Sequence, residues 1–201
     1  MMNTSKNQFA APVIVLSCIC LVVSFALAFT YKIANPIIIE NQNAVAVAAR
    51  KEVLPDADDF TQDETVTAET GAKSADGKAS VQEVFAANNG TGYVMTVNTT
   101  SFGGELTMMV GLNAEGAITG VKVTVHADTP GVGTKNMEPS YLSQYNGISE
   151  LTSASDVKKE SAELASGGSF AFISGASVTG QAIHSGVDAA LSQYAAMGGA
   201  Q

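Results

Sequence analysis

The spacing of apolar and polar residues changes several times along the chain, and each change predicts an element. From Ala11 to Tyr31 the sequence "APVIVLSCICLVVSFALAFTY" runs 21 residues without a charge. A helix rising ~1.5 Å per residue would cross a ~30 Å hydrocarbon core with that length. The run is also longer than the ~7 to 15 residue core of a cleaved signal peptide, so it reads as a retained single-pass anchor. Next, "KIANPIIIENQNAVAVAARKEVLPDADDF" predicts a helix leaving the membrane, with Pro36 near its start and Pro55 stopping it. Residues 61–80, "TQDETVTAETGAKSADGKAS", hold almost no large apolar side chains and read as a solvated linker.

Strand signals begin at Val81. Stretches rich in Val, Thr, Tyr and Met are cut by the turn formers "SFGG" and "NAEG", which predicts antiparallel hairpins over Gly92–Thr99, Glu105–Leu112 and Ala117–His126. The segment "TPGVGTKNMEPSYLSQYNG" is too dense in Pro and Gly for a regular element. A last helix follows "SGASVTG", because Ile183, Val187, Leu191 and Tyr194 recur on one helical face. The expected fold class is α+β: a single N-terminal transmembrane helix, then a small domain with an antiparallel sheet and flanking helices. The expected division is 1–32 for tail and anchor, 33–80 for exit helix and linker, and 81–201 for the folded domain.

Charge narrows the partners. The chain has 10 Lys and Arg against 19 Asp and Glu, and after Lys32 the balance is 8 bases to 19 acids, a net of −11. Such a surface repels nucleic acid and anionic headgroups, so no nucleic-acid partner is expected. Basic residues lie on both sides of the anchor, at Lys6 and at Lys32, Arg50 and Lys51, so charge does not assign its orientation. Both cysteines, Cys18 and Cys20, fall inside the anchor, which leaves the domain without a disulfide, a cysteine metal site or a thiol nucleophile.

Two glycine-rich loops carry the candidate chemistry. "SGASVTG" at 174–180 places Ser174, Gly175, Ala176, Ser177 and Thr179 where a helix begins. Free N–H groups and a partial positive charge at such an end can hold a phosphate without a lysine, although Ser177 or Thr179 as a plain N-cap is the commoner role. "HADTPGVGTK" supplies Thr129, Pro130, Gly131 and Gly133, with Lys135 close by, as backbone able to approach a flat or phosphorylated ligand. Together the loops suggest a bound phosphate ester. A serine hydrolase on Ser177 with His126 or His184 and Asp128 fits poorly, since "GASVTG" puts the second glycine one residue late for a nucleophile elbow. The two histidines are not at metal-ligand spacing, so no metal is expected.

These stretches, with "EVLPDADDF", "GYVMTV" and "MMVGLNAEGAITGVKV", resemble the membrane-anchored FMN-binding subunits of two related ion pumps. One is the G subunit of the Rnf ion-translocating ferredoxin:NAD oxidoreductase complex, and the other is the C subunit of the Na+-translocating NADH:quinone oxidoreductase. The Rnf protein is the better match, because little lies beyond the FMN domain. The resemblance implies an electron-carrying subunit of an ion-translocating oxidoreductase, one FMN joined covalently through a phosphoester to Ser177, a separate flavin transferase, and a domain on the extracytoplasmic side of the cell membrane. It further implies backbone support from Gly175 and Ala176, a hydroxyl at Thr179 near the phosphate, and Thr129, Gly131 and Gly133 along the flavin. The chain departs from the family pattern where Asp128 replaces a Glu, Val132 a Leu, and Ala171 an acid before the motif. The acceptor is also a serine where the family commonly has a threonine. The alternative reading is a tethered extracytoplasmic module without cofactor.

Overall fold

The computed structural model describes residues 5–151 and 173–199, without the side chains of 5–11 and 36–42. It forms two units, residues 1–46 and residues 47–201. One helix, α1 (Ser5–Val53), contributes to both. It continues through Pro36, where the sequence predicted a new start. Proline removes one backbone donor, but it does not oblige a long apolar helix to end. Pro12–Asn35 has a mean hydropathy of 2.7 and is long and apolar enough to cross a membrane.

In the second unit five strands form an antiparallel meander in sequence order: β1 (Phe60–Asp63), β2 (Ser80–Ala87), β3 (Gly92–Ser101), β4 (Gly104–Asn113) and β5 (Ile118–Val125). The three hairpin strands predicted from alternation and turn residues are β3, β4 and β5, each within two residues of the expected ends. A short helix α2 (Pro139–Leu142) and the long helix α3 (Ser177–Ala196) follow. In β4, Leu106, Met108, Val110 and Leu112 alternate onto one face, where they pack in a single core with Ile183, Val187 and Leu191 of α3. That is the period-2 strand meeting the period-3.6 helix.

The other sheet face receives the end of α1, where Ala49, Val53 and Leu54 are buried. Arg50 lies 3.5 Å above the Phe85 ring, and Thr119 Oγ1 donates to the Val53 carbonyl at 2.5 Å. Gly111, between Val110 and Leu112, permits this approach, since a Cβ there would sit 2.3 Å from the Val53 oxygen.

Residues 61–80, expected as a solvated linker, are built into the domain. Val66 and Ala79 belong to the core, and the backbone of the segment is held by α3. Gln193 Oε1 accepts from the Ala72 N–H at 2.7 Å, Asp188 Oδ2 from the Ala75 N–H at 2.6 Å, and Asp76 Oδ2 from the Ser185 hydroxyl at 2.8 Å. Most of the segment still faces water, as its polar composition predicts, while Ala72, Ala75 and Asp76 fasten it to α3.

The close fit of α1 on β4 is open to a direct test. Gly111→Ala forces the α1 end away from β4 and lowers unfolding stability by about 1–3 kcal/mol, as overpacking does, while Lys122→Ala, which breaks the exposed pair with Glu52, changes it by less than about 1 kcal/mol. Thermal denaturation of both variants checks this. For Asp76, burial is the largest influence and pushes its pKa up, but hydrogen bonds from Ser74, Lys78 and Ser185 and the Lys78 charge together hold it below the ordinary 3.8. The folded form therefore binds fewer protons there than the unfolded chain, and this stabilisation is complete above pH 3.8 and lost as the pH falls through the lower folded value. Denaturant midpoints measured across that range should fall less steeply with acid in Asp76→Asn.

Candidate functional site

Where β5 ends, the chain enters the glycine-rich turn, and Asp128 points back into the protein with only 5% of its surface exposed. The hydroxyl of Thr179, itself 1% exposed, donates to Asp128 Oδ1 at 2.8 Å. The same oxygen accepts from the Gly103 N–H of the β3–β4 turn at 3.3 Å. A second tie runs beside it: Asn136, fully buried in the 3-10 turn Gly133–Met137, donates from Nδ2 to the Ala176 carbonyl at 2.8 Å. The glycine-rich turn is thus fastened to the start of α3 at Ala176 and at Thr179, on either side of Ser177.

These ties frame a cavity of about 230 Å3 lined by Phe102, Asp128, Thr129, Val132, Gly133, Gly175, Ala176, Ser177, Val178 and Thr179. Of the residues predicted from sequence, Ser177, Gly175, Ala176, Thr179, Thr129 and Gly133 line it. Ser174 is exposed in the turn before Gly175, whose φ of 82° suits glycine. Pro130, Gly131 and Lys135 are exposed and are not lining residues. The Gly131 N–H is taken by Thr134 Oγ1 at 2.8 Å. Ala171 lies outside the described residues.

The plain capping role does not hold. The N-cap is Ala176, no side chain caps the helix, and Thr179 spends its hydroxyl on Asp128. Ser177 is the first residue of α3, exposed, at the cavity wall. The first turn of α3 therefore begins at the cavity wall with no side-chain cap on its N–H groups, which is an arrangement that can accept an anion. Among the described residues no Lys or Arg lines the cavity, and its one ionisable lining side chain is an acid.

His184 is not placed for a hydrolytic triad, and His126 is exposed and does not line the cavity. His184 is fully buried two turns further along α3, its ring 6.0 Å from Tyr145, and Asp128 is engaged by Thr179. Burial pushes the Tyr145 hydroxyl well above its ordinary pKa, so it remains a neutral core group. Sequence reasoning missed Phe102, Asp128, Val132 and Val178 as lining residues. Phe102 sits in "SFGG", where the turn signal hid the aromatic, and Val178 separates the two hydroxyl residues of interest.

Comparison with known proteins covers the same region. A family model described as FMN-binding domain matches residues 101–192, a span that contains every residue lining the cavity. The G subunit of the Na(+)-translocating ferredoxin:NAD(+) oxidoreductase complex of Acetobacterium woodii is 31% identical over 193 residues, covering 90% of this chain and 89% of that protein. The G subunit of the ion-translocating oxidoreductase complex of Stutzerimonas stutzeri is 26% identical over 206 residues, covering 100% of this chain and 87% of its own length. The protein of the same name from Methanosarcina acetivorans is 32% identical over 148 residues, covering 70% and 72%. The chain belongs to the family of G subunits of ion-translocating oxidoreductase complexes.

Proposed function

We propose that this protein is the electron-transfer subunit of a Rnf-type ferredoxin:NAD oxidoreductase, carrying one FMN joined to Ser177 through a phosphoester. The observation that carries this reading is the composition of the cavity: an exposed serine at an uncapped helix start, with no cation among the described lining residues. A free FMN phosphate would bring close to two negative charges to a region whose charged lining residue is Asp128. Such a ligand would be held weakly. A diester retains one charge, which the α3 N-terminus and its N–H groups offset, and the covalent bond prevents loss of the group.

In the loading step the Ser177 Oγ would attack the phosphorus of an activated flavin phosphate, such as a flavin dinucleotide. The new Oγ–P bond would replace the pyrophosphate P–O bond, a nucleoside monophosphate would leave, and the serine proton would pass to a base on the transferase. Ser177 is favoured over Thr179 as acceptor because the threonine hydroxyl is buried and committed to Asp128. Once bound, the flavin supplies the electron chemistry. The protein's share is to hold it: Gly175 and Ala176 shape the turn, Thr129 and Gly133 form the facing wall, and α1 ties the domain to the membrane. The resemblance to the family supports an extracytoplasmic domain and association with the other subunits of the complex.

Expression of the full chain with a flavin transferase, followed by a denaturing gel under ultraviolet light, tests the assignment. Wild type and Thr179→Val should give a fluorescent band and Ser177→Ala none. Thr179→Val, which loses the buried hydrogen bond, should also cost about 1–3 kcal/mol of stability. A band that survives in Ser177→Ala and vanishes in Thr179→Val would move the acceptor to Thr179.

A further inference from the structure

We infer that Phe102, Val132 and Val178 form an apolar seat at the rim of the cavity for the flavin ring, with Phe102 the residue that packs against it. This rests on the reading that FMN is attached at Ser177. Folding leaves few large apolar side chains in water in the second unit: among the described residues these are Val47, Phe102, Val125, Val132 and Val178. Three of the five border one cavity. They come from three separate parts of the chain, namely the β3–β4 turn, the glycine-rich turn and the first turn of α3. A shared ligand accounts for that convergence, since nothing in the packing of the domain requires it.

Phe102 is the most exposed of the three, at 80%, yet its backbone is fixed. Phe102 and Gly103 link the paired residues Ser101 and Gly104, and Ser101 Oγ donates to the Gly104 carbonyl at 3.1 Å. Gly103 is pressed so closely on the next loop that a Cβ would lie 2.4 Å from the Ala127 oxygen. Its N–H is held by Asp128. An aromatic on a mobile tip would have many places to lie, whereas this one is held at the cavity mouth by the carboxyl group that also fixes Thr179.

Size decides where the ring goes. The cavity, about 230 Å3, is smaller than the ~300–1,000 Å3 clefts that enclose drug-sized ligands. The tether begins at Ser177 in the wall, next to Val178. Phosphate and ribityl chain would then occupy the wall and cavity, and the tricyclic flavin ring would extend over the rim with one face on Phe102. Aromatic stacking of this kind adds to the burial of apolar area.

The chain has no tryptophan, so a single introduced indole is a clean contact probe, because indole quenches flavin emission by electron transfer only near van der Waals contact. Phe102→Trp and the control Glu115→Trp would be made in the full chain with the transferase present. Glu115 lies beyond the far end of β4 from Phe102, about 30 Å away at the rise of a strand. Intact mass first reports whether each chain carries FMN. At equal loading, Phe102→Trp should lose most of its flavin emission and Glu115→Trp should keep it. Phe102→Ala should retain the flavin mass but show increased quenching by iodide. Equal emission in the two tryptophan variants, or iodide quenching unchanged in Phe102→Ala, overturns the seat and leaves attachment at Ser177 standing. A wild-type chain without the flavin mass removes the ligand, and the seat with it.

Discussion

The hydrogen bond from Thr179 to Asp128 is the constraint on which the site depends. It is buried at both ends and joins residues 51 positions apart. It is one of two ties that fasten the glycine-rich turn to the start of α3. With it, and with Asn136 holding the Ala176 carbonyl, the backbone on both sides of Ser177 is fixed while the serine stays accessible. The same carboxyl group reaches Gly103, so the β3–β4 turn shares that frame. One acid thus places a nucleophile, a wall and an aromatic rim.

The rest of the domain serves to hold that junction. The alternating apolar residues of β4 and the buried face of α3 form the core, and α3 can begin at the cavity because its remaining turns are anchored there. The segment before β2 grips the other flank of α3 through Asp188, Ser185 and Gln193. A helix fixed along its length presents its first turn at a defined place, which is what an attached redox group needs. Retention by a covalent bond also agrees with the acidity of the chain, since the described lining offers no cation to hold a phosphate.

The parts of this structure visible in the sequence are those set by local periodicity. β3, β4 and β5 show in alternating Val, Thr and Met between glycine turns, and α3 shows in the spacing of Ile183, Val187 and Leu191. The two loops of the site were legible as well, through their small residues and position. What the sequence concealed was non-local. Residues 61–80 read as solvated, and most are exposed, but their attachment to the domain runs through backbone N–H groups of Ala72 and Ala75 meeting side chains of α3, which no local pattern records. The partnership of Asp128 with Thr179 is likewise invisible along the chain, and without it Thr179 looks like a cap. Pro36 carries a start signal that the long helix overrides. Phe102 was hidden because an aromatic between turn formers reads as part of the turn.

Everything proposed for this protein turns on a single covalent bond at a named atom, and peptide mapping of the wild-type chain tests it most directly. The full-length protein, produced with a flavin transferase, is digested and the flavin-bearing peptide is sequenced by tandem mass spectrometry. The expected result is one FMN per chain, joined to the hydroxyl of Ser177, with Ser174 and Thr179 unmodified. FMN mapped to another residue, or a fully unmodified peptide spanning 174–180, would contradict it.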